Sequence, residues 1–157
     1  ALSTRGQHSF GNRLAPQLEQ VAGGVYSTRG YDQSIVAGDT LILGRGEYRL
    51  HLPRLLPLRP PLALPGIGDF HLNPEKGRRP DWDLVLVSFF DVGRTAIVDR
   101  GVGEFNELLL STGLGVELRV IDNLILDFDW GRALREARNG ESARGDHEFH
   151  FQGTLLY

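Results

Sequence analysis

Two carboxylates, Asp127 and Asp129, lie two residues apart in the run LILDFDWG. On an extended chain this spacing puts both on one face, which is what the acid and base of a glycoside hydrolase would need. His147, Glu148 and His150 are of metal-ligating type. An extended backbone, however, sends His147 and His150 to opposite faces, so the two cannot chelate one ion. His8, His51 and His71 are isolated in the sequence. There is no Cys, which excludes disulfides, thiolate metal centres and cysteine nucleophiles. No Gly-x-Ser-x-Gly elbow and no phosphate loop occurs. These residue types give catalysis little to work with, and the expectation is a protein that is not an enzyme and has no metal or cofactor.

The elements that carry these residues are strands. Around the acid pair, Leu124, Leu126, Phe128 and Trp130 make one face wholly apolar, and Ile125, Asp127, Asp129 and Gly131 make the other. Two acids inside a strand cannot face an apolar core without partners, so their face meets water. Asp122-Asn123 is a tight-turn pair and predicts a hairpin to the preceding run. That run, residues 107–121, alternates throughout. Leu108, Leu110, Thr112, Leu114, Val116, Leu118 and Val120 face one way, and Glu107, Leu109, Ser111, Gly113, Gly115, Glu117 and Arg119 the other. A soluble strand is usually about 5–6 residues long, a membrane-barrel strand about 9–11. At the C-terminus Phe149, Phe151, Gly153, Leu155 and Tyr157 share one face, opposite Glu148, His150, Gln152, Thr154 and Leu156.

Residues 41–52 alternate similarly, with Ile42, Tyr48, Leu50 and Leu52 opposite Arg45, Glu47, Arg49 and His51. Residues 84–93 read as a strand with less contrast between faces, and residues 6–15 as a further strand. Helical signals are weak. The stripe over 14–22 is broken by Pro16 and Gly23-Gly24, and 132–138 could give one turn of helix. Residues 53–81 hold seven of the eight prolines, so they form a long loop and not a central strand.

The 157 residues suit a single domain. At 41% hydrophobic, 24% charged and a net charge of −3, the composition is that of an ordinary acidic domain, apart from its 20 glycines. The longest stretches without a charge are nine residues, for instance 108–116, against about 20 for a membrane helix. Arginine supplies 16 of the 17 basic residues, scattered along the chain, so no nucleic-acid partner is expected. No apolar signal segment follows Ala1. The absence of Met predicts that the chain is part of a longer protein.

Two architectures fit strands of this kind. One is a soluble antiparallel sheet, polar face to water. The other is a transmembrane β-barrel, apolar face to lipid and polar face to a watery interior. Trp130, Tyr157 and Trp82 near strand ends suit an interfacial girdle. Five or six strands are fewer than the about eight of the smallest single-chain barrels, so a barrel reading makes the chain a portion of a larger wall.

The segment Gly23-Gly24-Val25-Tyr26-Ser27-Thr28-Arg29-Gly30-Tyr31 resembles the loop motif of the two-partner secretion transporters, the haemolysin activation/secretion proteins. Their motif is a double Gly, a spacer and an Arg-Gly-aromatic tip. Thr28 stands where the family usually has Val. Gly38-Asp39 followed by Glu47, Arg49 and Pro53, then Phe89-Phe90-Asp91-Val92-Gly93, then the 113–131 hairpin and the terminal strand 147–157, are similar to further family segments in the same order. The insertion 53–81 replaces a short turn, and Tyr157 stands where Phe is commoner.

The resemblance implies an all-β fold, the C-terminal portion of an outer-membrane β-barrel spanning residues 1–157, with 19–39 as a loop folded into the lumen. It implies that Arg29, Gly30 and Tyr31 form the loop tip, that Asp91 and Glu47 on the inner wall pair with Arg29, and that Phe149, Phe151, Leu155 and Tyr157 form the terminal assembly signal. The implied function is export of a partner protein across the bacterial outer membrane. The implied partners are that protein, membrane lipid and the barrel assembly machinery. Two alternatives stand beside it: an outer-membrane assembly factor of the same superfamily, and a soluble β binding module.

Overall fold

The computed structural model describes residues 1–57, 62–64, 68–71, 81–121, 123–138 and 140–156. The chain is all-β, and among the described residues it has no α-helix. In chain order the strands are β1 (Leu2–Gln7), β2 (Gln20–Ala22), β3 (Val36–Gly38), β4 (Thr40–His51), β5 (Leu62–Leu64), β6 (Gly68–Phe70), β7 (Trp82–Ala96), β8 (Glu107–Val120), β9 (Leu124–Ala133) and β10 (His147–Leu155). Among the described residues two 3-10 turns, Pro16–Leu18 and Leu52–Leu55, add to the strands.

Six strands form a mostly antiparallel meander in the order β1-β4-β7-β8-β9-β10. β1 pairs with β4 from Leu2↔Gly46 to Gln7↔Leu41. β2 with β3, and β5 with β6, make separate two-stranded antiparallel pairs. No sheet closes on itself among the described residues.

The chain divides into two compact units. The first takes in Ala1–Tyr48, Ser88–Leu114 and Asp129–His150, and the second Arg49–Val87, Gly115–Phe128 and Phe151–Tyr157. In the first unit residues 19–39 lie against one face of the sheet. The core there joins Ala22, Tyr31, Ile35 and Val36 of that segment to Leu41, Leu43, Leu109, Ala133 and Ala137. The covered face also buries polar side chains, among them Asp91, Thr95, Glu107 and Ser111. The other face leaves Ile42, Tyr48, Phe90, Leu114 and Phe149 between 48% and 69% exposed. In the second unit Leu86, Val116, Phe128, Phe151 and Leu155 are exposed. There Glu117 receives Arg49 and Arg119, the latter at 3.1 Å.

Several elements differ from the sequence reading. The first strand is Leu2–Gln7 and not 6–15. Phe10-Gly11 turns with positive φ (53° and 81°) and ends any extension. Residues 132–138 form no helical turn, because their backbone groups bond elsewhere: Ala133 N–H to Asp146, Leu134 N–H to Leu110 and Ala137 N–H to Ser142. β4 stops at His51 because Pro53 cannot donate to a ladder. The third strand runs to 82–96, longer than 84–93. The segment 19–39 contains its own β2–β3 pair. Most of 53–81, Asp122 of the expected turn and Tyr157 lie outside the described residues.

Candidate functional site: a buried arginine on the polar face

The tip of the 19–39 segment is built by two glycines. Gly23 and Gly24 have φ of 113° and 88°, values an L side chain rarely adopts. Gly24 N–H donates to the carbonyls of Thr28 (3.2 Å) and Tyr31 (3.0 Å), and Gly23 N–H to Ser27 Oγ at 2.7 Å. This compact turn presents Arg29 to the sheet.

Arg29 is 3% exposed and Asp91 0%. Nε donates to Asp91 Oδ2 at 2.9 Å and Nη2 to Oδ1 at 3.0 Å, a bidentate fork. The Arg29 backbone N–H also donates to Oδ2 at 3.2 Å. Nη1 lies 2.9 Å from Glu47 Oε1 and 3.5 Å from Asp129 Oδ2. The guanidinium carbon sits 3.5 Å from the centre of the Phe89 ring, a cation–π contact. Arg45 adds a second cation, its Nε 3.5 Å from Asp91 Oδ1, and it donates to the Val25 carbonyl at 2.9 Å. Burial opposes the charge on Arg29, but Asp91, with Asp129 and Glu47 behind it, more than offsets this and raises its pKa. The site is therefore a fixed ionic cluster of two arginines and three carboxylates.

The rest of the tip is equally constrained. Tyr31 is 0% exposed. Its hydroxyl shares its proton between the carbonyls of Arg135 (2.7 Å) and Leu110 (2.9 Å), and accepts Leu110 N–H at 3.1 Å. Burial raises the pKa of this phenol. His150 Nε2 lies 2.8 Å from the Arg29 carbonyl. A carbonyl only accepts, so that nitrogen carries the proton. A Cβ on Gly30 would stand 2.6 Å from the Arg132 carbonyl carbon and 2.7 Å from Ser111 Cβ, and one on Gly131 would collide with the Arg29 carbonyl. One loop tip thus touches side chains or backbone of β4, β7, β8, β9 and β10.

The structure brings together the sequence-named Arg29, Asp91 and Glu47, with Gly30 and Tyr31 beside them. Phe149, Phe151 and Leu155 stand apart from the cluster, exposed along β10. The sequence reading named neither Asp129, Arg45, Phe89 nor His150 as partners. The signal for them was shared face: Phe89 is two residues before Asp91, and Arg45 two before Glu47. Of the suspected chemistry, Asp129 serves the arginine. His147 stacks on Trp130 at 5.4 Å while His150 reaches the loop, so the two histidines face apart.

Asp39 is a further anchor. It is fully buried, and its carboxylate accepts Leu14 N–H at 2.6 Å and Val98 N–H at 2.7 Å. These two bonds hold its pKa below the ordinary value of about 3.9. A depressed carboxyl pKa gives stability that is present above the ordinary value and lost as pH falls through the folded value. Glu104, held down by Arg13 Nη1 at 2.9 Å, acts in the same sense on the 97–106 loop. Amide exchange at Leu14 and Val98 is expected to accelerate below about pH 4 relative to the rate law of a free peptide. Protection unchanged down to pH 2 would contradict this anchoring.

Comparison of the chain with protein-family models, curated proteins and solved structures returns no match.

Proposed function

We propose that the six-stranded sheet is an arc of the wall of a transmembrane β-barrel, and that the protein is an outer-membrane transporter exporting a partner protein, of the two-partner secretion type. On this reading residues 19–39 occupy the lumen, pinned by Arg29. The protein is not an enzyme. It works in the bacterial outer membrane, with lipid on its outer face, the exported protein as cargo and the assembly machinery docking on β10.

One observation supports this reading most strongly. In β7 and β8 charged and polar side chains are buried while large apolar ones on the other face stay exposed. The covered positions hold Asp91, Thr95, Glu107, Ser111 and Gly113 beside the apolar Val85, Val87, Phe89 and Leu109, whereas Phe90 and Leu114 on the opposite face are 48% and 58% exposed. A lipid-facing wall calls for this arrangement, and a soluble sheet would bury those large side chains. Six strands are fewer than the about eight of the smallest single-chain barrels, so further strands complete the wall.

A water-soluble β module is the second reading. It is favoured by the apolar cluster of Leu41, Leu43 and Leu109 beneath residues 19–39. Extraction separates the two. The barrel is expected in the membrane fraction, resistant to carbonate and released by detergent. A chain that stays monodisperse without detergent would exclude it. Among barrels, loss of export of a co-expressed partner in an Arg29→Ala strain supports secretion. Loss of other outer-membrane barrels in that strain supports the assembly-factor reading.

A further inference from the structure

Residues 132–144, across the end of β9 and the connection to β10, contain four arginines: Arg132, Arg135, Arg138 and Arg144. Arg135 and Arg138 line an open groove of about 560 Å³ together with Phe105 and Glu136. Among the described residues no carboxylate lies within ion-pair distance of either arginine. By contrast, Arg13, Arg29, Arg45, Arg49 and Arg119 each have such a partner.

The backbone that carries this pair is held from beneath. The buried Tyr31 hydroxyl donates to the Arg135 carbonyl, and buried Glu107 accepts the Arg138 N–H at 3.1 Å. Ala137 between them is 0% exposed and donates to the Ser142 carbonyl at 2.9 Å. Two guanidinium groups on a fixed backbone are pre-organised for an anion, since less freedom is lost on binding. Guanidinium also matches phosphate by paired hydrogen bonds, and 16 of the 17 basic residues here are arginine. One wall of the groove is apolar: Phe105, just before β8, is 45% exposed, and Leu134, next to Arg135 in the chain, is 37% exposed. A free phosphate would make no use of them, whereas a phosphate on a lipid would.

We infer that the Phe105–Arg135–Arg138 groove binds the phosphate of a phosphorylated lipid in the leaflet that meets this end of the strands. The inference rests on the membrane-barrel reading above. The phosphate bridges the two guanidinium groups, and its acyl chains lie against Phe105. Glu136 on the same wall opposes the anion and limits the affinity.

The test is native mass spectrometry of the full chain in detergent, titrated with diphosphoryl lipid A, with phosphatidylcholine, and with inorganic phosphate. Lipid A is expected to be retained in preference to phosphatidylcholine. Arg135→Gln and Arg138→Gln should each weaken retention about fivefold, and Glu136→Gln should strengthen it. Each variant is checked for an unchanged Arg29 site by protease resistance of residues 19–39. Retention unchanged in all three variants would overturn the inference, as would displacement of lipid A by equimolar inorganic phosphate, which would mark a free-anion site. A chain that needs no detergent would overturn the membrane reading itself, a separately visible outcome.

Discussion

Arg29→Ala is expected to release residues 19–39 from the sheet and, on the proposed transporter function, to abolish export of the partner protein. The mutation removes the fork on Asp91 and the guanidinium contacts of Glu47 and Asp129, and leaves Arg45 as the cation beside the buried Asp91. Breaking a buried pair from one side costs about 3–5 kcal/mol, enough to shift loop docking by roughly two to three and a half orders of magnitude at about 1.4 kcal/mol per tenfold. The geometry also ranks the variants. Asp91→Ala leaves Arg29 paired to Glu47 at 2.9 Å, so its effect should be smaller than that of Arg29→Ala. Glu47→Ala leaves the bidentate fork intact and should be the mildest of the three. Arg29→Lys keeps the charge but not the fork, and should recover only part of the function. Limited proteolysis at residues 24–34 reads loop release, and partner secretion at equal membrane abundance reads function. Unchanged proteolysis and secretion in all of Arg29→Ala, Asp91→Ala and Glu47→Ala would sink the assignment.

Gly131→Val is the second large effect. A Cβ at this position would stand 2.4 Å from the Arg29 carbonyl oxygen and 2.7 Å from the Gly30 nitrogen, both backbone atoms that cannot rotate away. Overpacking of this sort usually costs about 1–3 kcal/mol. Here the loop can lift, so the strain is relieved by undocking. Sheet content by circular dichroism should be preserved, while residues 24–34 become protease-sensitive and the Tyr31 ring leaves its buried site. A planar-bilayer recording of the full protein should then give a larger, noisier conductance than the parent. A variant that remains protected, with parental conductance, would mean that the tip does not seat against β9. Tyr31→Phe probes the same seat more gently. It deletes the hydroxyl that serves Leu110 and Arg135, at a cost of about 1–3 kcal/mol for the groups left unpaired, and thermal denaturation measures the loss.

The strands that line the site were legible in the sequence where alternation was long and its contrast strong. β8, β9 and β10 carry large apolar residues at most alternate positions, and their faces follow from that period. β1 was misplaced because LSTRGQ has one large apolar residue and packs little of itself; five of its six residues are exposed. β2 and β3 are three residues each, too short for any period to register. The cluster itself is not readable from spacing. Arg29 and Asp91 are 62 positions apart, and only the resemblance of GGVYSTRGY and FFDVG to known segments put them on one list. What the residues could say unaided was narrower. Asp127 and Asp129 needed polar surroundings, and Asp129 has them in Arg29. His150, which holds the Arg29 carbonyl, was visible only as half of a metal pair that its own alternation had ruled out.

The central claim is that the apolar face of the sheet meets lipid. The chain has no cysteine of its own, so each cysteine introduced into it reports a chosen position. An environment-sensitive fluorophore is placed in turn at Leu114, Val116 and Leu118, and at Glu117 and Arg119 of the opposite face. The full protein is then reconstituted in vesicles with a lipid-borne quencher or an aqueous one. The expected result is quenching of period two: the lipid quencher acts on positions 114, 116 and 118, and the aqueous quencher on 117 and 119. Aqueous quenching at all five positions, with none by the lipid-borne reagent, would contradict the barrel and leave a sheet that lives in water.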